Sequence, residues 1–533
     1  MKFRLVNFLL CLLSGLLLAA CFPPLGWTAL VWVWPWPLLA VLWQRRPDGG
    51  WLLRGWFGFR SGYVAGAAFF LTNLFWVHEV TWGGWPAMCA YLALFSAVWG
   101  AFVTVLAPQP GVRNSLLAAL CWCGLEWVRG WLMTGFGWNG VGVALQSPLL
   151  LMQPAEWIGV SGLAFLPMAT AGLVWVQIRR RSLRGLMVPL ALVAGWVAWG
   201  VLAKASVEQL PATNLHVLLL QPAVPQEEKW EVAVQSEVLA TLAPAEQERI
   251  LNLRRSHYDK LFERTRAGIQ AAKPDLVVWP ESSLPFQFYD PESLDFLERF
   301  AELGDFPLVL GCDVVDEGAF NALVLMRSGA REVEIYRKIH LVPFGEYVPL
   351  RREIPLLNSI AGELIPYDFD RGSSTDPLLL PGGSVGIIPQ VCFEDTVPRL
   401  TRKFVRPGPQ LIVNVTNDGW FRRSAASEQH FWNARIRSVE LRRPMVRSAN
   451  TGVTAAVSAT GEVLGRLPRF ETGELSLVVA VPTSAGATFF ARHGDVFSAS
   501  AGLAAVILGA LFAWTPRTPH HRSLFRGGVQ GRA

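Results

Sequence analysis

The chain has 533 residues, a net charge of +6, 24 Trp and 31 Phe, with only 17% of residues charged; its mean hydropathy is +0.33. That length allows more than one domain, and that apolarity excludes an ordinary soluble protein. The positive charge comes largely from Arg clusters, with no basic stripe interleaved with stacking aromatics, so nucleic-acid binding is not expected.

Charge is unevenly placed. Residues 1–206 almost lack Asp and Glu, whereas 207–485 read as a globular domain. Residues 5–26 have a basic start, an apolar run and small residues at Leu18–Ala20, which would suit a signal peptide. Further apolar runs follow at once, so this stretch reads as a retained first transmembrane helix. Candidate spans lie at roughly 6–24, 27–43, 60–78, 86–107, 115–133, 157–177 and 187–204, with an eighth near 496–514. The second is short and broken by Pro35 and Pro37.

Arginines set the orientation. Lys2 and Arg4 precede the first span; Arg45, Arg46, Arg54 and Arg60 follow the second; Arg113 follows the fourth. Arg179, Arg180, Arg181 and Arg184 follow the sixth, and Arg517, Arg522 and Arg526 the eighth. Every second loop is basic, which places both termini in the cytoplasm and the large domain outside. The expected division is a transmembrane bundle over 1–206, an exported catalytic domain over 207–488, a last span over 489–516 and a disordered tail over 517–533.

The exported domain begins with a strand over Leu215–Gln221 and a PAVPQ turn. A helical pattern over 245–272 follows, then Lys273-Pro274-Asp275 turns into the buried run LVVW. PLVLGCDVV, NALVLM, VGIIPQVC and LIVNVTND are strand-like, and 292–303, 396–404 and 427–443 are helical. TGVTAAVSATGEVLGRL reads as a late hairpin. Buried strands mixed with helices give an α/β or α+β sandwich with helices outside.

Three residues each end an apolar run: Glu281 in LVVWPESSLP, Lys338 in YRKIHLVPFGEYVPL and Cys392 in GIIPQVCFEDTVP. An acid, an amine and a thiol can divide acyl transfer into base, oxyanion clamp and nucleophile. Each alone has a plain structural reading: a capping carboxylate, a solvated strand-end lysine, a buried thiol. Of seven cysteines, five lie in or beside spans, so there is no disulfide framework. A Cys312–Cys392 bridge would compete with a nucleophilic role, and His430 invites a Cys–His reading. No metal or cofactor pattern stands out.

The chain resembles the apolipoprotein N-acyltransferases, membrane-bound members of the nitrilase superfamily. The likeness runs from FPPLGW (22–27) to the last span, through GLEWVRGWLMTGFGWNGVG (124–142), QPAVPQEEKW (221–230), VVWPES (277–282), YRKIHLVPFGEYVPL (336–350), VCFED (391–395), NVTNDGWF (414–421) and QHFWNARIRSVELRRPMVRSANTG (429–452). Soluble nitrilases share the trio but not the spans. The resemblance implies a bundle of about eight transmembrane helices carrying an αββα nitrilase-like domain. It implies transfer of a phospholipid sn-1 acyl chain, through a Cys392 thioester, to the amine of a diacylglyceryl-cysteine apolipoprotein. The enzyme would act as a monomer, without a cofactor, in a bacterial inner membrane with the catalytic domain in the periplasm. Glu281 matches the base, Lys338 the oxyanion lysine and Glu346 a further essential carboxylate. Trp230 matches an aromatic near the pocket, and Glu394 a carboxylate two residues past the nucleophile.

Three features depart from the family pattern. Phe393 stands where Tyr is frequent. Arg422-Arg423 replaces Gly-Asp, where a Gly would permit positive φ; a loop with Arg there is expected to take another path, its arginines solvated or meeting lipid phosphate. The stretch 231–260 is long, as an extended helix or a cover over the cleft. Rival readings are a membrane-tethered nitrilase-type amidase and a scaffold with a vestigial trio.

Overall fold

The computed structural model describes residues 4–44 and 50–514, apart from 233, 235, 291, 328–331, 350, 352 and 354–367. Arg45, Arg46 and the 517–533 tail therefore lie outside the described residues.

The first part is a bundle of α1 (Leu5–Ala20), α2 (Pro35–Leu42), α3 (Trp51–Asn73), α4 (Gly84–Leu106), α5 (Val112–Arg129), α6 (Ala155–Leu163), α7 (Phe165–Arg180) and α8 (Met187–Glu208). The last helix, Val496–Trp514, returns to pack in it. Among the described residues, Gly84–Leu106, Arg184–Glu208 and Val496–Ala513 are long and apolar enough to cross a membrane. The pair α6 and α7 qualifies as a fourth, bent by 57°. The other expected spans differ in kind. α1 has 16 residues, about 24 Å at 1.5 Å per residue. The second span is a 3₁₀ turn (Thr28–Trp32) followed by the eight-residue α2, which begins at Pro35. α3 starts nine residues before the expected edge, taking Arg54 and Arg60 into the helix.

Small residues let α3 and α4 meet at backbone distance. A Cβ on Gly58 would lie 2.2 Å from the Gly100 carbonyl oxygen, and one on Gly62 2.1 Å from that of Ser96. Where lipid removes the hydrophobic drive for helix association, such close packing supplies it.

The second part holds two six-stranded sheets. β1 (Ala212–Gln221), β2 (Leu276–Val278), β3 (Leu308–Val315), β4 (Ala319–Arg327) and β5 (Glu332–Arg337) lie in sequence, with β12 (Gly473–Pro482) beside β1. The other sheet runs β6 (Leu378–Leu379), β7 (Gly386–Val391), β8 (Gln410–Thr416), β9 (Met445–Ala449), β10 (Ala455–Val457) and β11 (Val463–Arg466). β1, β2 and β3 are parallel, as are β7, β8 and β9. Alternation sorts the side chains: Val217 and Leu219 join Ile387, Leu411 and Val413 between the sheets. Leu218 and Leu220 face outward onto Tyr258 and Phe262 of the helix Pro244–Ala272 and Phe296 of Glu292–Glu302. The long 231–260 stretch thus feeds mostly into an extended helix that covers the first sheet.

The helix Ala426–Leu441 covers the second sheet and joins it to the bundle. Its Ala434 packs into the core cluster of the second sheet, while Ile436 and Val439 belong to the bundle core. Gln429 Oε1 accepts from the indoles of Trp76 (3.0 Å) and Trp138 (2.9 Å), and its amide donates to the Pro23 carbonyl (2.8 Å). Arg442 Nε pairs with Glu156 at 2.8 Å, and Arg435 reaches Gln146 and the Gly461 carbonyl. These arginines fasten the two parts together.

Candidate active site

β2 of one sheet and β7 of the other each lie in a parallel ladder, and the acid and the thiol follow their C-terminal ends. β7 stops at Val391, and Cys392 opens a 3₁₀ turn, Cys392–Thr396, at φ 52. Left-handed backbone at a non-glycine residue costs about 1–3 kcal/mol and persists only where neighbours hold it. Here Glu394 Oε2 accepts the Val391 N–H at 2.9 Å, and the Asn414 amide donates to the Cys392 carbonyl at 3.0 Å. The other six cysteines are buried; Cys392 alone is partly open, and all seven are free thiols. Cys312 faces the outer core of the first sheet, so no Cys312–Cys392 bridge forms.

Glu281 follows β2 through Trp279-Pro280. Its close neighbour is Gly311 on β3, where a Cβ would come within 2.5 Å of the Glu281 Cα. Glu281 Oε1 accepts from the Asn321 amide at 2.7 Å, and Oε2 from the Asn417 N–H at 2.8 Å. The same Asn321 nitrogen donates to Glu346 Oε1 at 2.7 Å. Lys338, just past β5 and only 1% exposed, sets its ammonium 2.8 Å from Glu346 and 4.0 Å from Glu281. Glu346 Oε2 also accepts the Val342 N–H at 2.8 Å.

Burial pushes the Glu281 carboxyl up from its ordinary range; Lys338 opposes this and Glu346 adds to it. Burial works against the Lys338 charge, but Glu346 and Glu281 outweigh it and hold the lysine firmly protonated. Burial, then the Glu281 carboxylate, pushes the Cys392 thiol well up, with Lys338 pulling the other way. The resting sulfur is therefore a thiol, and Glu281 is a carboxylate with raised affinity for its proton.

The supporting residues fall into three roles. Glu394 is buried and spent on structure: Oε1 accepts from Tyr336 (2.9 Å) and from the Ile339 (2.8 Å) and His340 (2.9 Å) N–H groups. It ties the segment after Lys338 to the turn of Cys392, and burial raises its carboxyl to about 7. Phe393 stacks with Phe136, Trp138 and His340 at centroid distances of 6.0, 6.0 and 5.8 Å. The residue after Cys392 thus touches the bundle. Trp230 is 49% exposed and packs edge-on against Trp420 at 5.5 Å, at the surface of the domain.

Behind the trio lies a buried polar cluster whose partners sequence reasoning did not pair. His430 spends both ring nitrogens, on Asp418 (2.8 Å) and Asp395 (2.9 Å), so it does not serve Cys392. Arg447 closes the set by pairing with both aspartates, and all four side chains are buried. Asn321 and Asn417 also escaped notice; a lone polar residue in the apolar run NALVLM was the available signal. Arg422 corrects an expectation: it adopts φ 46 itself, anchored by long ion pairs to Glu79 and Glu227, both at 3.7 Å. Arg423 lies over the Phe470 ring at 4.8 Å.

Residues 14–173 match the family model described as the apolipoprotein N-acyltransferase N-terminal domain, and 228–487 match the carbon-nitrogen hydrolase model. An apolipoprotein N-acyltransferase of Geobacter metallireducens is 32% identical, covering 97% of this chain and 97% of its own. One from Photobacterium profundum is 32% identical over 80% of this chain and 82% of its own. Among solved structures, a carbon-nitrogen hydrolase from Helicobacter pylori G27 is 13% identical, covers 50% of this chain and 89% of its own, and has a TM-score of 0.34.

Proposed function

This chain belongs to the apolipoprotein N-acyltransferase family, and we propose that it moves the sn-1 acyl chain of a phospholipid to the N-terminal amine of S-diacylglyceryl-cysteine in lipoproteins. The observation that carries the mechanism is the Glu281–Lys338–Glu346 cluster beside a partly open Cys392 held at φ 52.

In the first half, the Cys392 sulfur attacks the ester carbonyl as Glu281 takes the thiol proton. Lys338 faces the negative charge that develops on the carbonyl oxygen. The tetrahedral adduct collapses, the glycerol oxygen leaves with the proton from Glu281, and a thioester and a lysophospholipid remain. In the second half, the neutral α-amine attacks the thioester and Glu281 takes the amine proton. Sulfur leaves and is reprotonated, giving an amide and a free thiol. Glu346 keeps Lys338 placed and charged.

Both substrates are lipid-anchored, which explains a catalytic domain docked on an apolar bundle. Contact of Phe393 with Phe136 and Trp138 supports a cleft that opens toward the bundle. Within this reading the bundle covers 1–206, the catalytic domain 207–488 in the periplasm, and the last span 489–516. Eight crossings are read from the apolar runs, and the arginine pattern turns both termini to the cytoplasm. Incubating the purified protein with a defined phospholipid and weighing it intact tests the reading. An acyl adduct on wild type and none on Cys392→Ala is expected; ammonia release from small amides without phospholipid would favour an amidase.

A further inference from the structure

The short helix Gln226–Val232 does more for the base than present Trp230 at the surface. From it, half-buried Lys229 turns inward, and its Nζ donates to the Ser282 carbonyl at 2.8 Å and the Glu281 carbonyl at 3.3 Å. Those carbonyls flank a strained turn, since Ser282 has φ 52. The same helix supplies Gln226, whose Oε1 accepts from the Asn417 amide at 2.9 Å, and the Asn417 N–H holds Glu281 Oε2. Both the backbone and the carboxylate of Glu281 are thus tied to one seven-residue helix.

Charge adds a second reason. Asp313 lies on β3 two residues past Gly311, so it shares the face that approaches Glu281, and it pairs in register with Asn321 of β4. Three carboxylates (Glu281, Glu346 and Asp313) therefore gather round two ammoniums. Lys338 is committed to Glu346 at 2.8 Å. That leaves Lys229 as the second cation, with Glu281 and Asp313 as its carboxylate neighbours.

We propose that Lys229 is a positioning residue for the base: it pins the Glu281–Ser282 turn through the two backbone carbonyls and adds, beside Lys338, a second positive charge that favours the Glu281 carboxylate during catalysis. This rests on the reading of Glu281 as base. The groups facing Glu281 are Lys338 after β5, Glu346 in the following turn, Asp313 on β3, Cys392 after β7 and Lys229 itself. Glu228 and His257 form a neighbouring pair at 3.1 Å beside Lys229. Burial brings Lys229 down to about 8 against the pull of Glu281 and Asp313. Burial, with Glu281 and Glu346, takes Asp313 up to about 7.

The test is the pH profile of single-turnover thioester formation, read by intact mass on the full chain with phospholipid. Lys229→Met removes charge and hydrogen bonds, Lys229→Gln keeps an amide donor without charge, and Lys229→Arg keeps the charge. Removing a nearby cation raises a carboxyl's proton affinity, so the acid limb is expected to move up by about 1 pH unit in the Met and Gln variants. Arg is expected to bring it back, and Asp313→Asn to move it down. A limb unmoved in Lys229→Gln, with the rate merely scaled, would overturn the proposal while leaving the thioester mechanism intact. Absence of any thioester on wild type would instead defeat the reading of the site, and this proposal with it.

Discussion

The Asn417 N–H donates to Glu281 Oε2 at 2.8 Å, so the loop after β8 of one sheet orients a carboxylate delivered by β2 of the other. Glu281 is thereby aimed by both halves of the sandwich. The inter-sheet core of Val217, Val278, Leu411 and Val413 is part of the catalytic geometry, because a slide of one sheet would break that bond.

Asn321 holds the two carboxylates Glu281 and Glu346 with one nitrogen, at 2.7 Å each. Asn321→Leu leaves like charges facing each other without their shared donor. Thioester formation is expected to slow by about 10- to 100-fold, the equivalent of about 1–3 kcal/mol. Single-turnover mass spectrometry measures it, with circular dichroism showing that the fold survives.

In the proposed mechanism Lys338 faces the developing oxyanion, so Lys338→Met is expected to cost about 100-fold or more. Lys338→Arg is not expected to rescue, because the slot leaves the lysine only 1% exposed and a planar guanidinium does not fit it. Recovery of activity in the Arg variant would show that charge alone suffices.

The pH dependences of activity and stability run in opposite senses. As the proposed base, Glu281 must be ionised to act, and its folded proton affinity is raised. Thioester formation therefore falls as pH drops through a point above the ordinary glutamate value of about 4.3. For stability, Glu394 is raised to about 7 in the fold. Between about 4.3 and that value the native state binds more protons than the unfolded one, so stability falls as pH rises through this window. Melting temperature is expected to drop from the lower to the upper end, with a flatter curve in Glu394→Gln.

Arg447 neutralises Asp395 and Asp418, both fully buried. Arg447→Met leaves two aspartates facing one histidine, and a destabilisation of about 3–5 kcal/mol is expected. Denaturant unfolding in detergent measures it. A variant as stable as wild type would mean that the cluster is solvated in solution.

Glu281 and Cys392 could be singled out because each follows a fully buried apolar strand, whereas Lys338 follows the charged and half-exposed β5. Strand positions followed for the same reason: LHVLLLQ and LIVNVTND lie within β1 and near β8. What stayed hidden depends on contacts between distant segments. Nothing in QPAVPQEEKW reveals that Lys229 turns in while Trp230 turns out. Asn417 was invisible as a ligand of Glu281 because its backbone, not its side chain, makes that bond. Span lengths were read too regularly, since Pro35, Pro37 and the break before Phe165 divide apolar runs into short or bent helices. Arg422 was judged by its dislike of positive φ, whereas it adopts φ 46 with its side chain near Glu79 and Glu227.

The most direct measurement is the mass of the intact protein after incubation with a phospholipid of defined acyl chains, beside Cys392→Ala. One acyl group added to wild type alone, and discharged by a diacylated lipopeptide with the peptide gaining that mass, is the predicted result. A free Cys392 thiol on wild type throughout, while the lipopeptide still became acylated, would contradict a thioester route through this site.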